Sequence, residues 1–123
     1  MMKVLIIDYS IGIVERLGEM LSEIENITSI HKAVSYDEAI KLYQATRPDI
    51  VLLDICLPAN NSFKILKEIK SPGSKTRVII LAVEKDNYIN ELCDLLGADF
   101  FFDKYSEFEK IPAAIDAIIS NNG

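Results

Sequence analysis

Short runs of consecutive apolar residues alternate along this chain with longer segments in which apolar residues recur every three or four positions. The short runs are typical of strands buried on both faces of a parallel sheet, and the longer segments are typical of amphipathic helices. Five strands alternating with five helices predict a doubly wound α/β fold with helices on both faces of the sheet. We predict the strands at residues 4–7, 27–34, 50–53, 78–81 and 100–102.

Local signals predict where several helices begin and end. The apolar periodicity of the first helix continues to Ile24. Ser35 and Glu38 have the spacing of a capping box, which predicts the start of the second helix. Gly97 is placed to end the fourth helix. Pro112 predicts a fifth helix that begins near residue 110, with proline in its first turn.

Composition excludes several classes of function. The chain has 123 residues, 50% of them hydrophobic and 26% charged, which predicts one globular domain over residues 1–123 with no output domain. A net charge of −6 argues against direct binding to nucleic acid. No apolar run is long enough for membrane insertion, and an acid at position 8 interrupts any signal-peptide core. The two cysteines lack the spacing of a zinc or disulfide framework. We therefore expect a cytoplasmic domain.

Charged residues follow three of the predicted strands. Asp8 follows the first strand, Asp54 the third and Lys104 the fifth, while Ala82 ends the fourth. Ligands of parallel α/β sheets bind beyond the carboxyl ends of the strands, so these side chains are expected to converge. Two carboxylates can hold Mg²⁺, one can attack a phosphoryl group, and a lysine can neutralise the transferred charge. Each residue also has a structural interpretation: Asp8 as a helix cap, Asp54 as a turn residue and Lys104 as a solvated surface lysine.

Four segments resemble the motifs of bacterial response-regulator receiver domains. Residues 48–58 (PDIVLLDICLP) closely resemble the central PDLVLLDIxMP motif, and residues 97–104 (GADFFFDK) resemble the GADxYLxKP segment. Residues 3–8 resemble the first strand with its acid, and residues 33–39 resemble a further stretch of the family apart from its glycine. The similarity covers essentially the whole chain in register. It implies a flavodoxin-like sheet with strand order 2-1-3-4-5.

The resemblance also implies a role for each matched residue. Asp54 corresponds to the phosphoacceptor, and Lys104 to the lysine that contacts the phosphoryl oxygens. Asp8 corresponds to a metal-site acid, and the backbone carbonyl of Cys56 to a further ligand of Mg²⁺. Phe101 occupies the aromatic switch position. The implied partners are a sensor histidine kinase or phosphotransfer protein and a downstream target protein, and a homodimer is left open.

Several positions depart from the family pattern. Tyr9 stands where the second metal-site acid is usual, so we expect weakened binding of Mg²⁺. Ala82 replaces the switch threonine or serine, and we therefore expect Phe101 to keep one buried, inward rotamer in every state. Tyr105 replaces the proline after the lysine, Ser62 replaces a glycine, and Asn61 replaces an acid.

Four functional interpretations follow from these residues. The first is a phosphorylated receiver, which is no enzyme beyond Mg²⁺-dependent self-phosphorylation and autodephosphorylation. The second is a pseudo-receiver, a protein-interaction module that works without phosphorylation. An Asp-x-Asp phosphatase is disfavoured because Cys56 stands where its general acid belongs. A flavin-binding electron carrier is disfavoured because the segment 8–12 lacks a phosphate-binding loop.

Overall fold

A five-stranded parallel sheet forms the centre of the molecule. The computed structural model describes residues 2–57, 61–83 and 86–122. Within these residues the strand order is β2-β1-β3-β4-β5, which confirms the predicted order 2-1-3-4-5. The strands are β1 (Met2–Ile7), β2 (Ile27–Ala33), β3 (Ile50–Asp54), β4 (Arg77–Ala82) and β5 (Phe100–Asp103).

Helices follow the strands in alternation, as the sequence predicts for a doubly wound fold. A short 3₁₀ turn, Phe108–Lys110, precedes the last helix. No helix in the described part of the chain is long and apolar enough to cross a membrane. The helices are α1 (Ile11–Ser22), α2 (Tyr36–Thr46), α3 (Asn61–Ile69), α4 (Asn87–Leu95) and α5 (Ile111–Asn122).

The sheet separates two apolar cores, because successive side chains of a strand point to opposite faces. In β1, Val4 and Ile6 belong to the core that α1 and α5 cover. Leu5 and Ile7 belong to the core on the other face, under α2, α3 and α4. All four side chains are fully buried. Burial on both faces explains why β1, β3 and β4 have nearly continuous apolar sequences with no alternation.

The ends of the helices agree with the predicted signals, with one exception. Ser35 Oγ accepts a hydrogen bond from Glu38 N at 3.3 Å at the start of α2. Gly97 follows α4 with φ +97°, a conformation that favours glycine. Helix α1 ends at Ser22, so the prediction that it reaches Ile24 is wrong. Ile24 lies in a turn after the helix, where its N–H donates to Leu21 O. Its side chain still packs against the core that the apolar side chains of α1 enter.

Asp99 joins the starts of two neighbouring strands at the edge opposite the carboxyl ends. Its Oδ2 accepts hydrogen bonds from Val78 N at 2.8 Å and from Lys70 Nζ at 2.9 Å. Its Oδ1 accepts from Arg77 Nη1 at 3.3 Å. The Asp99 N–H in turn donates to Val78 O at 2.9 Å. These bonds fix the start of β5 against β4.

Candidate functional site

Asp8, Asp54 and Lys104 meet at the carboxyl edge of the sheet. Lys104 Nζ lies 2.7 Å from Asp8 Oδ2 and 3.3 Å from Asp54 Oδ2. The three residues are 1%, 5% and 5% exposed, so Lys104 is not the solvated surface lysine of the structural interpretation. Strands β1 and β3 are neighbours in the sheet, whereas β4 separates β3 from β5. Lys104 therefore reaches across the end of β4, where Ala82 presents only a methyl group.

The backbone orients both carboxylates in the same way. Asp8 Oδ1 accepts a hydrogen bond from Ser10 N at 2.8 Å, and Asp54 Oδ1 accepts one from Cys56 N at 2.9 Å. In each residue, the other oxygen is the one that faces Lys104. Ser10, and not Asp8, is the N-cap of α1, since Ser10 Oγ accepts from Ile13 N at 3.3 Å. The interpretation of Asp8 as the helix cap is thus wrong.

Burial and charge shift the ionisation of two members of the site. Burial raises the pKa of the Asp54 carboxyl, and the negative charge of Asp8 adds to the rise. The N–H of Cys56 and the ammonium of Lys104 oppose it, but the pKa of Asp54 stays above its usual range. Burial alone lowers the pKa of Lys104, and the contacts with Asp8 and Asp54 outweigh that effect and raise it. Lys104 is therefore a cation throughout the physiological range.

The donor set of this crevice fits Mg²⁺. Asp8 Oδ2 is fully buried, and its ion pair with Lys104 Nζ at 2.7 Å is the one polar contact that it makes in the described residues. The described residues hold no group of three or more His, Cys, Asp or Glu side chains suited to a metal. Mg²⁺ is commonly held by one or two carboxylates together with water and phosphate, and Asp8 and Asp54 meet that need.

The remaining predicted positions lie around the crevice. Tyr9 is 41% and Tyr105 58% exposed. The Cys56 side chain is exposed, whereas Cys93 lies on the buried face of α4, and burial raises the pKa of its thiol to about 11. Pro58, which ends the central motif, lies outside the described residues.

The two switch positions differ in burial. Ala82, at the end of β4, is buried, and its carbonyl accepts a hydrogen bond from Lys104 N at 2.7 Å. Phe101 packs against the core under α2, α3 and α4 but is only partly buried, so the expectation of a buried ring is met only in part.

Ser62 is a site residue whose role the sequence did not indicate. It is fully buried in the first turn of α3. Its Oγ donates to the backbone carbonyl of Asp54 at 2.5 Å and accepts from Leu57 N at 3.2 Å. The only available signal was a hydroxyl where the family has glycine, and the spacing of eight residues from Asp54 does not predict the contact.

Two buried acids and a buried lysine at the carboxyl edge of a doubly wound sheet are the features that the resemblance to receiver domains predicts. A family model described as the response regulator receiver domain matches residues 4–116. The chain therefore belongs to the response regulator receiver domain family of two-component systems.

Curated relatives differ in how much of their length this chain spans. It is 26% identical over 125 residues to the transcriptional regulatory protein CiaR of Streptococcus pneumoniae, covering 100% of this chain and 54% of CiaR. It is 29% identical over 114 residues to protein CcdB of Bacillus subtilis, covering 92% of this chain and 94% of CcdB. The chain thus spans about half of the first protein and nearly all of the second.

Solved structures share the fold. The signal receiver domain of a DNA-binding response regulator from Colwellia psychrerythraea superposes with a TM-score of 0.90 at 23% identity, covering 98% of this chain and 99% of that one. The BeF₃-activated DrrB receiver domain gives a TM-score of 0.80 at 22% identity, with 98% of each chain covered.

Proposed function

We propose that this domain accepts a phosphoryl group on Asp54 from a histidine kinase or phosphotransfer protein and passes the signal to a downstream target protein. The observation that carries the proposal is the position of Lys104 Nζ between the buried carboxylates of Asp8 and Asp54. A structural ion pair needs one acid, and a second buried acid beside it adds repulsion that a functional role would explain.

The geometry divides the work of phosphoryl transfer among these residues. Cys56 N–H holds Asp54 Oδ1, which leaves Oδ2 to attack phosphorus. A P–O bond to Oδ2 forms while the P–N bond of a donor phosphohistidine breaks, and the leaving imidazole takes up a proton. Lys104 donates N–H groups to the transferred oxygens and offsets their charge, as lysine does at phosphate sites.

Asp8, Asp54 and the backbone carbonyl of Cys56 would hold Mg²⁺. When bound, the ion would neutralise charge on the phosphoryl oxygens. Tyr9 brings no charge to the position of the second acid, so Mg²⁺ binds more weakly here than in a site with three carboxylates. Self-phosphorylation from a small donor and autodephosphorylation are the only reactions that we assign to the domain itself.

The second candidate, a pseudo-receiver, is favoured by one observation. Ala82 is buried at the end of β4 and offers no hydroxyl to a phosphoryl group on Asp54. A receiver without that hydrogen bond has a weaker link between phosphorylation and the shape of the surface that its partners contact.

Incubation with acetyl phosphate and Mg²⁺, followed by intact-protein mass spectrometry, separates the two candidates. We expect the wild type to gain one phosphoryl group, and Asp54→Asn or excess chelator to prevent it. Lys104→Gln, which removes the cation but keeps a hydrogen-bond donor, should slow the gain. No modification of a folded wild type would favour the pseudo-receiver, and modification of Asp54→Asn would exclude Asp54 as the acceptor.

A further inference from the structure

The turn that follows β5 is held by side-chain hydrogen bonds, one of which a proline after Lys104 would remove. Tyr105 N donates to Asp103 Oδ1 at 2.8 Å, and Ser106 N donates to the same oxygen at 2.9 Å. Proline has no N–H, so the first of these bonds depends on Tyr105 standing where the motif has proline. The main chain of Lys104 itself is fixed by its N–H, which donates to Ala82 O at 2.7 Å.

Glu107 closes the same turn from the other side. Its Oε1 accepts a hydrogen bond from Asp103 N at 3.0 Å, and its own N–H donates to Asp103 O at 3.2 Å. Two hydrogen bonds thus join Glu107 to the main chain of Asp103, one through its carboxylate and one through its N–H. Glu107 Oε2 also lies 2.9 Å from Lys110 Nζ, which ties the turn to the 3₁₀ segment before α5.

We propose that Asp103 and Glu107 are positioning residues, which hold Lys104 so that its ammonium group sits between Asp8 and Asp54. This inference rests on the proposed function, because it assigns to the turn the placement of the group that contacts the transferred phosphoryl.

Two further observations support this assignment. A lysine side chain has a flexible four-carbon stem, so the position of its head group depends on how firmly its backbone is held. Hydrogen bonds from the N–H groups of Ser106 and Tyr105 lower the pKa of Asp103, which shows that the turn favours its charged carboxylate. Lys104 is 5% exposed, and a buried ammonium displaced from its acids loses its compensating charge. The geometry of the turn and the charge balance of the crevice are therefore linked.

Three variants and a matched control test the proposal. Asp103→Ala removes the acceptor for two amides, and Glu107→Ala removes the acceptor for the third. Asp103→Asn keeps an oxygen in the capping position, as asparagine caps about as well as aspartate. The control is Ser35→Ala, which removes the side-chain acceptor of the Glu38 N–H at the start of α2, beside β2 at the opposite edge of the sheet. Each variant is measured for thermal stability, for phosphorylation rate with acetyl phosphate and Mg²⁺, and for the ¹⁵N–¹H signal of the Lys104 ammonium group.

We expect Asp103→Ala and Glu107→Ala to slow phosphorylation by about tenfold or more, since misplacing a catalytic group by about 1 Å can cost on the order of 100-fold, and to shift or broaden the Lys104 ammonium signal. Asp103→Asn should keep the phosphorylation rate within about twofold of the wild type and leave the ammonium signal near its wild-type position. Ser35→Ala should lower the melting temperature while leaving the rate and the ammonium signal unchanged. An unchanged rate and ammonium signal in Asp103→Ala and Glu107→Ala would overturn the proposal. Should the wild type accept no phosphoryl group, the proposed function fails, and the ammonium signals still decide whether the turn positions Lys104.

Discussion

Ser62 Oγ lies 2.5 Å from the backbone carbonyl oxygen of Asp54, to which it donates a hydrogen bond. The Ser62 hydroxyl oxygen also accepts a hydrogen bond from Leu57 N at 3.2 Å, so this one buried hydroxyl joins the end of β3, Leu57 and the first turn of α3. The end of the strand that carries the proposed phosphoacceptor is therefore bonded to α3 by a side chain that the family pattern lacks.

Removing this hydroxyl should destabilise the fold. In Ser62→Ala the Asp54 carbonyl and the Leu57 amide lose a buried partner, and each unsatisfied group costs about 1–3 kcal/mol. We expect the free energy of unfolding, measured with urea, to fall by at least the lower figure. Ser22→Ala removes a comparable bond on the surface, from Ser22 Oγ to Glu19 O at 2.7 Å, and should change it by about 0.5 kcal/mol or less. Equal effects of the two variants would show that the Ser62 contact is unimportant.

Asp54→Asn should stabilise the fold at neutral pH. Burial raises the pKa of Asp54, which means that its charged form is less favourable in the folded protein than in the unfolded chain. This penalty is full above the folded-state pKa and disappears as the pH falls below the ordinary value of 3.8. The gain in melting temperature should therefore shrink on acidification. Asp116→Asn, on the exposed face of α5, is the control, and a gain that does not depend on pH would contradict this account.

Tyr9→Asp should tighten the binding of Mg²⁺. The change adds a third carboxylate beside the crevice. Two opposite unit charges about 4 Å apart attract each other by about 4 kcal/mol at an effective dielectric constant near 20, before desolvation. Even a fraction of that energy gives about a tenfold increase in affinity by calorimetry. Tyr88→Asp adds the same charge at an exposed position on α4 and should have little effect. An unchanged affinity in Tyr9→Asp would mean that position 9 does not face the metal.

Ala82→Thr should extend the amide shifts caused by activation from the Asp54 loop to α4 and β5. In the wild type, backbone amide shifts caused by beryllofluoride and Mg²⁺ should stay near the Asp54 loop. Ala82 has no hydroxyl to form a hydrogen bond with the bound anion, so we expect Phe101 to keep one rotamer. A threonine hydroxyl adds a hydrogen bond to a charged acceptor, worth about 1.5–3 kcal/mol, and should carry the shifts into α4 and β5. Ala82→Val, of similar volume but without the hydroxyl, is the matched control. Shifts that already spread through α4 and β5 in the wild type would contradict the prediction.

The fold was predictable from the sequence because its strands are buried on both faces. Runs such as residues 50–53 cannot be amphipathic helices, and they place the sheet directly. The end of α1 was not predictable from periodicity, since Ile24 reaches the same core from a turn as it would from a helix. A pattern of burial cannot distinguish those two backbones.

The candidate site was predictable only where strand ends determine it. Asp8, Asp54 and Lys104 each follow a strand, so the parallel sheet brings them to one edge. Ser62 lies eight residues after Asp54, and no local sequence signal predicts that its hydroxyl contacts the Asp54 carbonyl. The hydrogen bonds of Asp103 and Glu107 depend on the backbone conformation of the turn after β5. Tyr105 stands there in place of the motif's proline, so the motif does not predict that conformation.

The side chain of Asp99 takes the place of a backbone carbonyl, because its carboxylate accepts the Val78 N–H while its own N–H donates to the Val78 carbonyl. A strand of four residues at the edge of a sheet would otherwise open first from either end. The other end is bound as well, because Lys104 N donates to Ala82 O at 2.7 Å. Fraying of this edge strand must therefore break the Asp99 contacts at one end or the Lys104 bond at the other, and only fraying at the Lys104 end would expose the crevice.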